Sequence, residues 1–266
     1  MMKRKLTVVK VGGAVVEDPT QLAGLLDSFS ALAGLKVLVH GGGRRATGIA
    51  AGMGLESRMV NGRRVTDKAM LEVVTMVYGG LVNKGVVAQL QSKGVNAIGL
   101  TGADMDVIRS HRRPPKEVKM PDGTMQEVDF GFVGDVDRVD AEALGALLEK
   151  GFTPVMAPLT HDGKGSMLNT NADTIASETA CALASLYDVT LVYTFEKKGV
   201  LRNPDDETSV IPEITHESFT RLVADGTVSG GMMPKIENAL AAIDAGVGEV
   251  RITRADSLDG GTAIRT

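Results

Sequence analysis

Lys36-Val37-Leu38-Val39-His40-Gly41-Gly42-Gly43 decides how this chain is read. An apolar run ends in three consecutive glycines, a strand-to-loop junction without Cβ atoms, whose backbone N–H groups can press against an anion. The competing reading of such a triplet is a tight turn. A second junction of the same kind precedes it, where the apolar run Leu6-Thr7-Val8-Val9-Lys10-Val11 leads into Gly12-Gly13. Two such junctions predict a floor that handles phosphate, with Gly12 and Gly13 as phosphate-binding residues.

Outward from these two runs, short Val/Ile-rich stretches alternate with longer amphipathic ones. Strands are expected at 6–11, 36–39, 97–100, 153–157, 189–193 and 249–252. Between them Leu22, Leu25, Leu26, Phe29 and Leu32 recur at helical spacing. So do Met70, Val73, Val74, Val77 and Leu81, and then Ile236, Leu240 and Ile243. Near-continuous apolar strands alternating with helices predict an α/β fold with a mainly parallel sheet covered on both faces. Ligands then bind at the carboxyl ends of the strands. Residues 107–133 break the rhythm with Pro114-Pro115 and the turn-like Pro121-Asp122-Gly123. This segment reads as an inserted β-hairpin region, either a flap over a substrate or a surface excursion.

A chain of 266 residues has ample core material for one cooperative unit with two lobes. Its net charge of −4, with both signs interspersed, gives nucleic acid no electrostatic footprint. Cys181 is the single cysteine, which excludes an intrachain disulfide and a cysteine-based zinc cluster and fits a reducing compartment. Its neighbours Ala180, Ala182 and Leu183 favour a packed thiol. The N-terminal Met-Met-Lys-Arg-Lys resembles the charged start of a signal peptide, but Lys10 and Gly12-Gly13 interrupt the apolar stretch behind it. No run approaches the roughly 20 apolar residues of a membrane span, so the expectation is a cytoplasmic protein with no membrane partner.

The glycines exclude two familiar nucleotide sites. A Walker A loop needs Gly-x-x-x-x-Gly-Lys followed by Ser or Thr; Gly80 to Gly85 fails because Val86 follows. Gly41, Gly43 and Ala46 formally meet a dinucleotide pattern. The confirming acidic residue at the end of the next strand is missing, since Glu56 lies in the irregular stretch 54–59.

Several motifs agree in order and spacing along nearly the whole chain. They are Val9-Lys10-Val11-Gly12-Gly13, His40-Gly41-Gly42-Gly43, Asn61-Gly62-Arg63-Arg64-Val65-Thr66, Gly99-Leu100-Thr101-Gly102-Ala103-Asp104, Gly131-Phe132-Val133-Gly134, Asn169-Thr170-Asn171-Ala172-Asp173 and Gly230-Gly231-Met232-Met233-Pro234-Lys235. Together they resemble the amino-acid kinase family, in its acylglutamate branch. The resemblance implies an open three-layer α/β/α sandwich, with residues 1–186 as an N-terminal lobe for acylglutamate binding and dimerisation and residues 187–266 as a C-terminal lobe for ATP. It also implies transfer of the γ-phosphoryl group of ATP to the side-chain carboxylate of N-acetyl-L-glutamate, giving N-acetyl-L-glutamyl 5-phosphate in arginine biosynthesis. N-succinyl-L-glutamate or another N-acyl acidic amino acid is the alternative acceptor. A non-catalytic binding or storage module on the same fold is the alternative from another class, and it would be expected to lose Lys10, Asp173 or Lys235.

By the same resemblance, Lys10 and Lys235 reach the transferring group from the two lobes and Asp173 orients both. A lysine inside the apolar strand of a covered sheet is hard to place unless its head reaches a site. Pro234-Lys235 could simply open a helix, but a cation there opposes the helix dipole and needs an anion to explain it. Asp173 could be an ordinary first-turn acid. Gly42 and Gly43 are expected to hold the acceptor carboxylate and the phosphoryl group, and Arg64 to fork onto the substrate α-carboxylate, with Arg63 exposed. Asn169 and Asn171 are expected to bond the substrate, although Asn171 reads equally well as a helix cap. His40 is assigned to structure.

On the ATP side the family commonly has a Thr-Asp or Ser-Asp step, whereas this chain reads Thr194-Phe195-Glu196-Lys197-Lys198-Gly199-Val200-Leu201. Glu196, Gly199, Val200 and Leu201 are expected on one side of the nucleotide, and Thr227, Val228, Ser229, Gly230 and Gly231 on the other. Mg²⁺ is expected to arrive with ATP, and no metal site built from protein ligands is assigned. Arginine-inhibited relatives carry an extra N-terminal helix that links dimers into a hexamer. Here the first strand begins within about five residues of Met1, so an arginine-insensitive homodimer is expected.

Overall fold

The strand Lys5–Val11 (β1) lies at the middle of the molecule because both of its faces are apolar. Leu6 and Val8 enter one hydrophobic core, and Val9 and Val11 enter another on the opposite face. The computed structural model describes residues 3–120 and 122–266. Leu35–His40 (β2) repeats the pattern, with Val37 and Val39 on the first side and Leu38 on the second. This is what a parallel strand covered on both faces requires.

β1 and β2 belong to an eight-stranded sheet with Ala97–Leu100 (β5), Thr153–Met156 (β10), Asp188–Phe195 (β13), Glu213–Ile214 (β14), Glu249–Arg254 (β15) and Thr262–Ile264 (β16). Its order is β14-β16-β15-β13-β1-β2-β10-β5. All neighbours run parallel except β15 and β16. β1 pairs with β13 from Lys5↔Asp188 to Lys10↔Tyr193, so one continuous sheet joins the N-terminal and C-terminal parts of the chain.

Helices complete three layers. Pro19–Ala31 (α2), Gly43–Gly52 (α3) and the long helix from Lys68 cover the Val9 face. Ala141–Glu149 (α6), Ala172–Leu183 (α7), His216–Ala224 (α8) and Met233–Asp244 (α9) cover the Val8 face. Gly13–Glu17 (α1) is a single short turn after the first glycine junction.

The helix Lys68–Ser92 is long and apolar enough, by length and composition, to cross a membrane. Here it is a core helix, since Met70, Val73, Val74, Val77, Val82, Val86 and Leu90 are buried against the sheet. Its halves, Lys68–Val74 (α4) and Asn83–Ser92 (α5), are joined by a π-helical segment, Thr75–Val82. That segment corrects one expectation. A uniform 3.6-residue period puts Leu81 on the buried face, but in a π-helix the repeat lengthens toward five residues. Val82, five after Val77, is buried in its place, and Leu81 is 52% exposed.

The irregular segment supplies one strand of a second sheet that the sequence did not reveal. Ile108–Arg112 (β6), Gly134–Val139 (β9), Leu159–His161 (β11) and Met167–Asn169 (β12) form it in the order β12-β11-β6-β9. The expected hairpin is Lys116–Lys119 (β7) with Met125–Val128 (β8), paired from Lys116↔Val128 to Lys119↔Met125. Of its turn, Pro121 lies outside the described residues; Asp122 accepts from the Thr124 N–H, and Gly123 has φ +87°. Met59–Val60 (β3) and Arg63–Arg64 (β4) form a further hairpin through Asn61-Gly62. Val60, Val128, Phe130 and Val133 pack these pieces together.

Candidate active site

The two glycine junctions meet. Gly41 donates its N–H to the Val11 carbonyl at 2.9 Å, and a Cβ on Gly41 would lie 3.0 Å from the Gly13 nitrogen. A Cβ on Gly13 would lie 3.5 Å from the Gly42 nitrogen, an ordinary contact distance, so the tight approach between the loops is at Gly41. Gly42 is the N-cap of α3 and carries no side-chain cap. The N–H groups of Gly42 and Gly43 donate to no acceptor among the described residues. Free N–H groups at the positive end of a ten-residue helix make an anion cradle.

His40 stands behind this loop, fully buried. Its Nδ1 lies 2.9 Å from the Gly41 carbonyl, and its Nε2 lies 3.1 Å from Asn83 Nδ2, which also donates to the Val155 carbonyl. One tautomer satisfies both contacts: Nδ1–H donates and Nε2 accepts. Burial pushes the His40 pKa down to about 4, so the ring is neutral and braces the loop. The absence of a side chain on Gly99 makes room for Asn83, because a Cβ there would meet Asn83 Oδ1.

Lys10 is buried at the end of β1, and its Nζ lies 2.7 Å from Asp173 Oδ1. That oxygen is itself buried, and the lysine is its charge partner. Asp173 is held in the first turn of α7 by the cap preceding it, where Asn171 Oδ1 accepts from the N–H groups of Asp173 (2.7 Å) and Thr174 (3.2 Å). Asn171 is therefore a helix cap, with its amide nitrogen still available to the adjoining cavity.

That cavity, of about 190 Å³, is lined by Gly41, Gly42, Gly43, Arg64, Asn169 and Asn171 together with Tyr78, Arg63, Arg113 and Val133. Asn169 is buried, and its Nδ2 donates to Thr66 Oγ1 at 2.9 Å. Arg64 is buried too, and most of its fork is engaged. Its two terminal nitrogens donate to Ser57 Oγ (2.7 Å), the Gly43 carbonyl (2.8 Å) and Thr47 Oγ1 (2.8 Å). It thus ties β4 to the start of α3, and a carboxylate reaching it meets Nε–H or displaces one of these partners. Arg63 is exposed, as expected.

Lys235 lies in the first turn of α9, beyond the carboxyl end of β13. Its Nζ sits 3.9 Å from the centroid of the Phe195 ring, and Lys10 Nζ approaches the same ring at 6.0 Å. Desolvation lowers the Lys235 pKa; Asp173 opposes this, Lys10 adds to it, and Glu196 opposes it. These influences bring both lysines and the aspartate into one electrostatic site. Lys10 and Lys235 stand outside the residues that line the cavity.

Of the residues expected at the nucleotide, Glu196 is exposed in the turn after β13, while Gly199, Val200 and Leu201 are buried. A Cβ on Gly199 would meet Thr262 Oγ1 and Val210 Cγ1, both at 2.9 Å, and Val200 donates its N–H to Thr262 Oγ1. Thr227 donates its N–H to Asp225 Oδ1, and Val228 is buried. Ser229, Gly230 and Gly231 are exposed at the 3₁₀ turn Gly230–Met232, with Gly230 at φ +55°.

Tyr78 and Phe195 were not identified as site residues from sequence. Tyr78 sits within the π-helical segment, where its ring would be 2.9 Å from a Cβ on Gly42. Its place depends on a helical irregularity that apolar spacing does not encode. Phe195 did stand out in sequence as a departure from the usual acidic step, which was the available signal.

The model of the Amino acid kinase family matches residues 5–254. Acetylglutamate kinase of Bacteroides fragilis is 62% identical over 266 residues, spanning 99% of this chain and 98% of that protein. Acetylglutamate kinase of Phocaeicola vulgatus is 64% identical over 261 residues, spanning 98% of each. Among solved structures, the smu.665 protein of Streptococcus mutans aligns with a TM-score of 0.75 at 29% identity, over 98% of both chains. With paired glycine junctions at the carboxyl ends of a parallel sheet and a match over nearly its whole length, the chain belongs to the amino acid kinase family.

Proposed function

We propose that this chain is a kinase that uses ATP to phosphorylate the side-chain carboxylate of N-acetyl-L-glutamate, forming N-acetyl-L-glutamyl 5-phosphate for arginine biosynthesis. The observation that carries the reading is the pair of free Gly42 and Gly43 N–H groups on a cavity also lined by Asn171, the cap that holds the Lys10-paired Asp173 in place. Acetylglutamate kinases identical at 62% and 64% over almost their full lengths support this acceptor.

The chemical problem explains the residues. The acceptor carboxylate and the γ-phosphoryl group are both anionic, so transfer needs suppressed repulsion and stabilised charge on the equatorial oxygens of an in-line transition state. A side-chain carboxylate is already ionised at neutral pH, so no general base is required. Gly42 and Gly43 receive the carboxylate and the incoming phosphoryl group through backbone N–H groups, and Gly12 and Gly13 complete the floor. Lys10 and Lys235 approach the phosphoryl oxygens from the two lobes, and Asp173 holds Lys10 in line. Asn169 and Asn171 bond the substrate, and Arg64 acts on it through the loop it braces and through its remaining donor. Residues 1–186 form the acceptor lobe, and residues 187–266 the nucleotide lobe, with Glu196, Gly199–Leu201 and Thr227–Gly231 around ATP. Mg²⁺ enters on the nucleotide phosphates and neutralises part of their charge. The protein works as a cytoplasmic homodimer.

One observation favours a second acceptor, N-succinyl-L-glutamate. Arg63 and Arg113 line the same cavity as Arg64. Arg113 pairs with Asp135 at 2.5 Å, while the exposed Arg63 forms no salt bridge among the described residues. A carboxylate on the acyl group would pair with that cation. Initial rates of ADP release with each acceptor test the choice. A higher kcat/KM for N-acetyl-L-glutamate supports the first reading; a preference for the succinyl compound that Arg63→Ala removes supports the second.

A further inference from the structure

Phe195 ends β13, half-buried, immediately ahead of the exposed Glu196. Its ring packs 6.3 Å from that of Tyr193 at an angle of 31°, which fixes its plane. The face of this ring meets Lys235 Nζ at 3.9 Å and lies 6.0 Å from Lys10 Nζ.

Lys235 needs such a support. It is a flexible side chain at the positive end of α9, where the helix dipole repels it, and partial desolvation and Lys10 both disfavour its charge. Of the two carboxylates that favour the charge, Asp173 is already paired with Lys10 and Glu196 is exposed in the turn after β13. Among the described residues Lys235 forms no salt bridge of its own. The electron-rich face of an aromatic ring attracts an ammonium without engaging it with an oxygen acceptor. A carboxylate in the same place would neutralise the charge that the phosphoryl group must meet.

We propose that Phe195 is a positioning residue that holds the Lys235 ammonium beside Lys10 and Asp173, ready for the phosphoryl oxygens. The proposal rests on the phosphoryl-transfer role given to Lys235 above. It assigns Phe195 a place in turnover through Lys235 rather than in acceptor binding.

The test is a double-mutant cycle with kcat and KM measured for ATP and acceptor in wild type, Phe195→Leu, Lys235→Ala and the pair. Phe195→Leu lowers kcat by about tenfold and leaves the acceptor KM within about twofold, while Phe195→Tyr, which keeps the ring, restores kcat to within about threefold of wild type. In the Lys235→Ala background, Phe195→Leu costs less than about twofold, because the ammonium it supports is gone. Phe195→Met provides a second non-aromatic variant should the leucine protein fold poorly. Wild-type turnover in Lys235→Ala would overturn the role of Lys235 and this proposal with it. An impaired Lys235→Ala enzyme, combined either with wild-type turnover in Phe195→Leu or with an undiminished loss in the double variant, overturns the assignment of Phe195 alone.

Discussion

Lys10 shows how far a single residue constrains the chemistry. Its stem lies within a strand buried on both faces, so its charge has to be answered locally, and Asp173 answers it at 2.7 Å. In the roles proposed for Lys10 and Lys235, removing either lysine withdraws a preorganised positive charge from the transition state. Lys10→Ala and Lys235→Ala are expected to lower kcat by about 100-fold or more, measured by initial rates at saturating substrates. His40 behaves differently. Its pKa is depressed from 6.5 to about 4 by burial, so the neutral ring is favoured in the folded protein. The unfolded chain binds the extra proton first, and stability is present above pH 6.5 and lost as pH falls toward 4. The shift corresponds to about 3 kcal/mol across that window. Denaturant unfolding at stepped pH should show this acid-side loss, and a folded His40→Gln variant should lack it.

At the scale of elements, the glycine loop and the start of α7 are built to tolerances that substitutions can probe. A Cβ at Gly42 would come within 2.9 Å of the Tyr78 ring, so Gly42→Ala must displace the loop, the ring or the π-helical segment that carries it. We expect a lower melting temperature together with at least about a tenfold loss of kcat, since the loop's N–H groups are aimed at the reacting anions. Asn171 separates capping from binding. Asn171→Ala loses the cap on α7 and about 1 kcal/mol of stability in urea unfolding. Asn171→Asp keeps a capping oxygen but sets a negative charge beside an anionic acceptor, so it retains stability and raises the acceptor KM. These elements differ in how legible they were. The strands carrying Lys10 and His40 could be read because both faces are apolar. The loops could be read because consecutive glycines have few other uses. The π-helical segment could not, because an apolar run satisfies a five-residue repeat as readily as a four-residue one until packing selects Val82 over Leu81. The second sheet was equally hidden, since its strands are short and β6 pairs with β9 and β11 across long separations. Arg64 was legible as the candidate partner of the substrate α-carboxylate, but the Ser57, Thr47 and Gly43 partners that occupy its donors come from the tertiary fold.

For the whole molecule, the continuous sheet brings the glycine loops after β1 and β2 and the turn after β13, hydrogen-bonded to β1, to one edge. On the proposed reading both substrates bind along that edge, with Gly12-Gly13 and the Gly41–Gly43 triplet at the line between the two lobes. The central claim is that a carboxylate, held there, takes a phosphoryl group. An acyl phosphate reacts with hydroxylamine to give a hydroxamate, so the product can be trapped as it forms. Incubating the protein with ATP, Mg²⁺, hydroxylamine and N-acetyl-L-glutamate is predicted to yield hydroxamate in step with ADP, and Lys10→Ala to yield about 100-fold less. The absence of hydroxamate with N-acetyl-L-glutamate and with every other N-acyl glutamate would contradict the account.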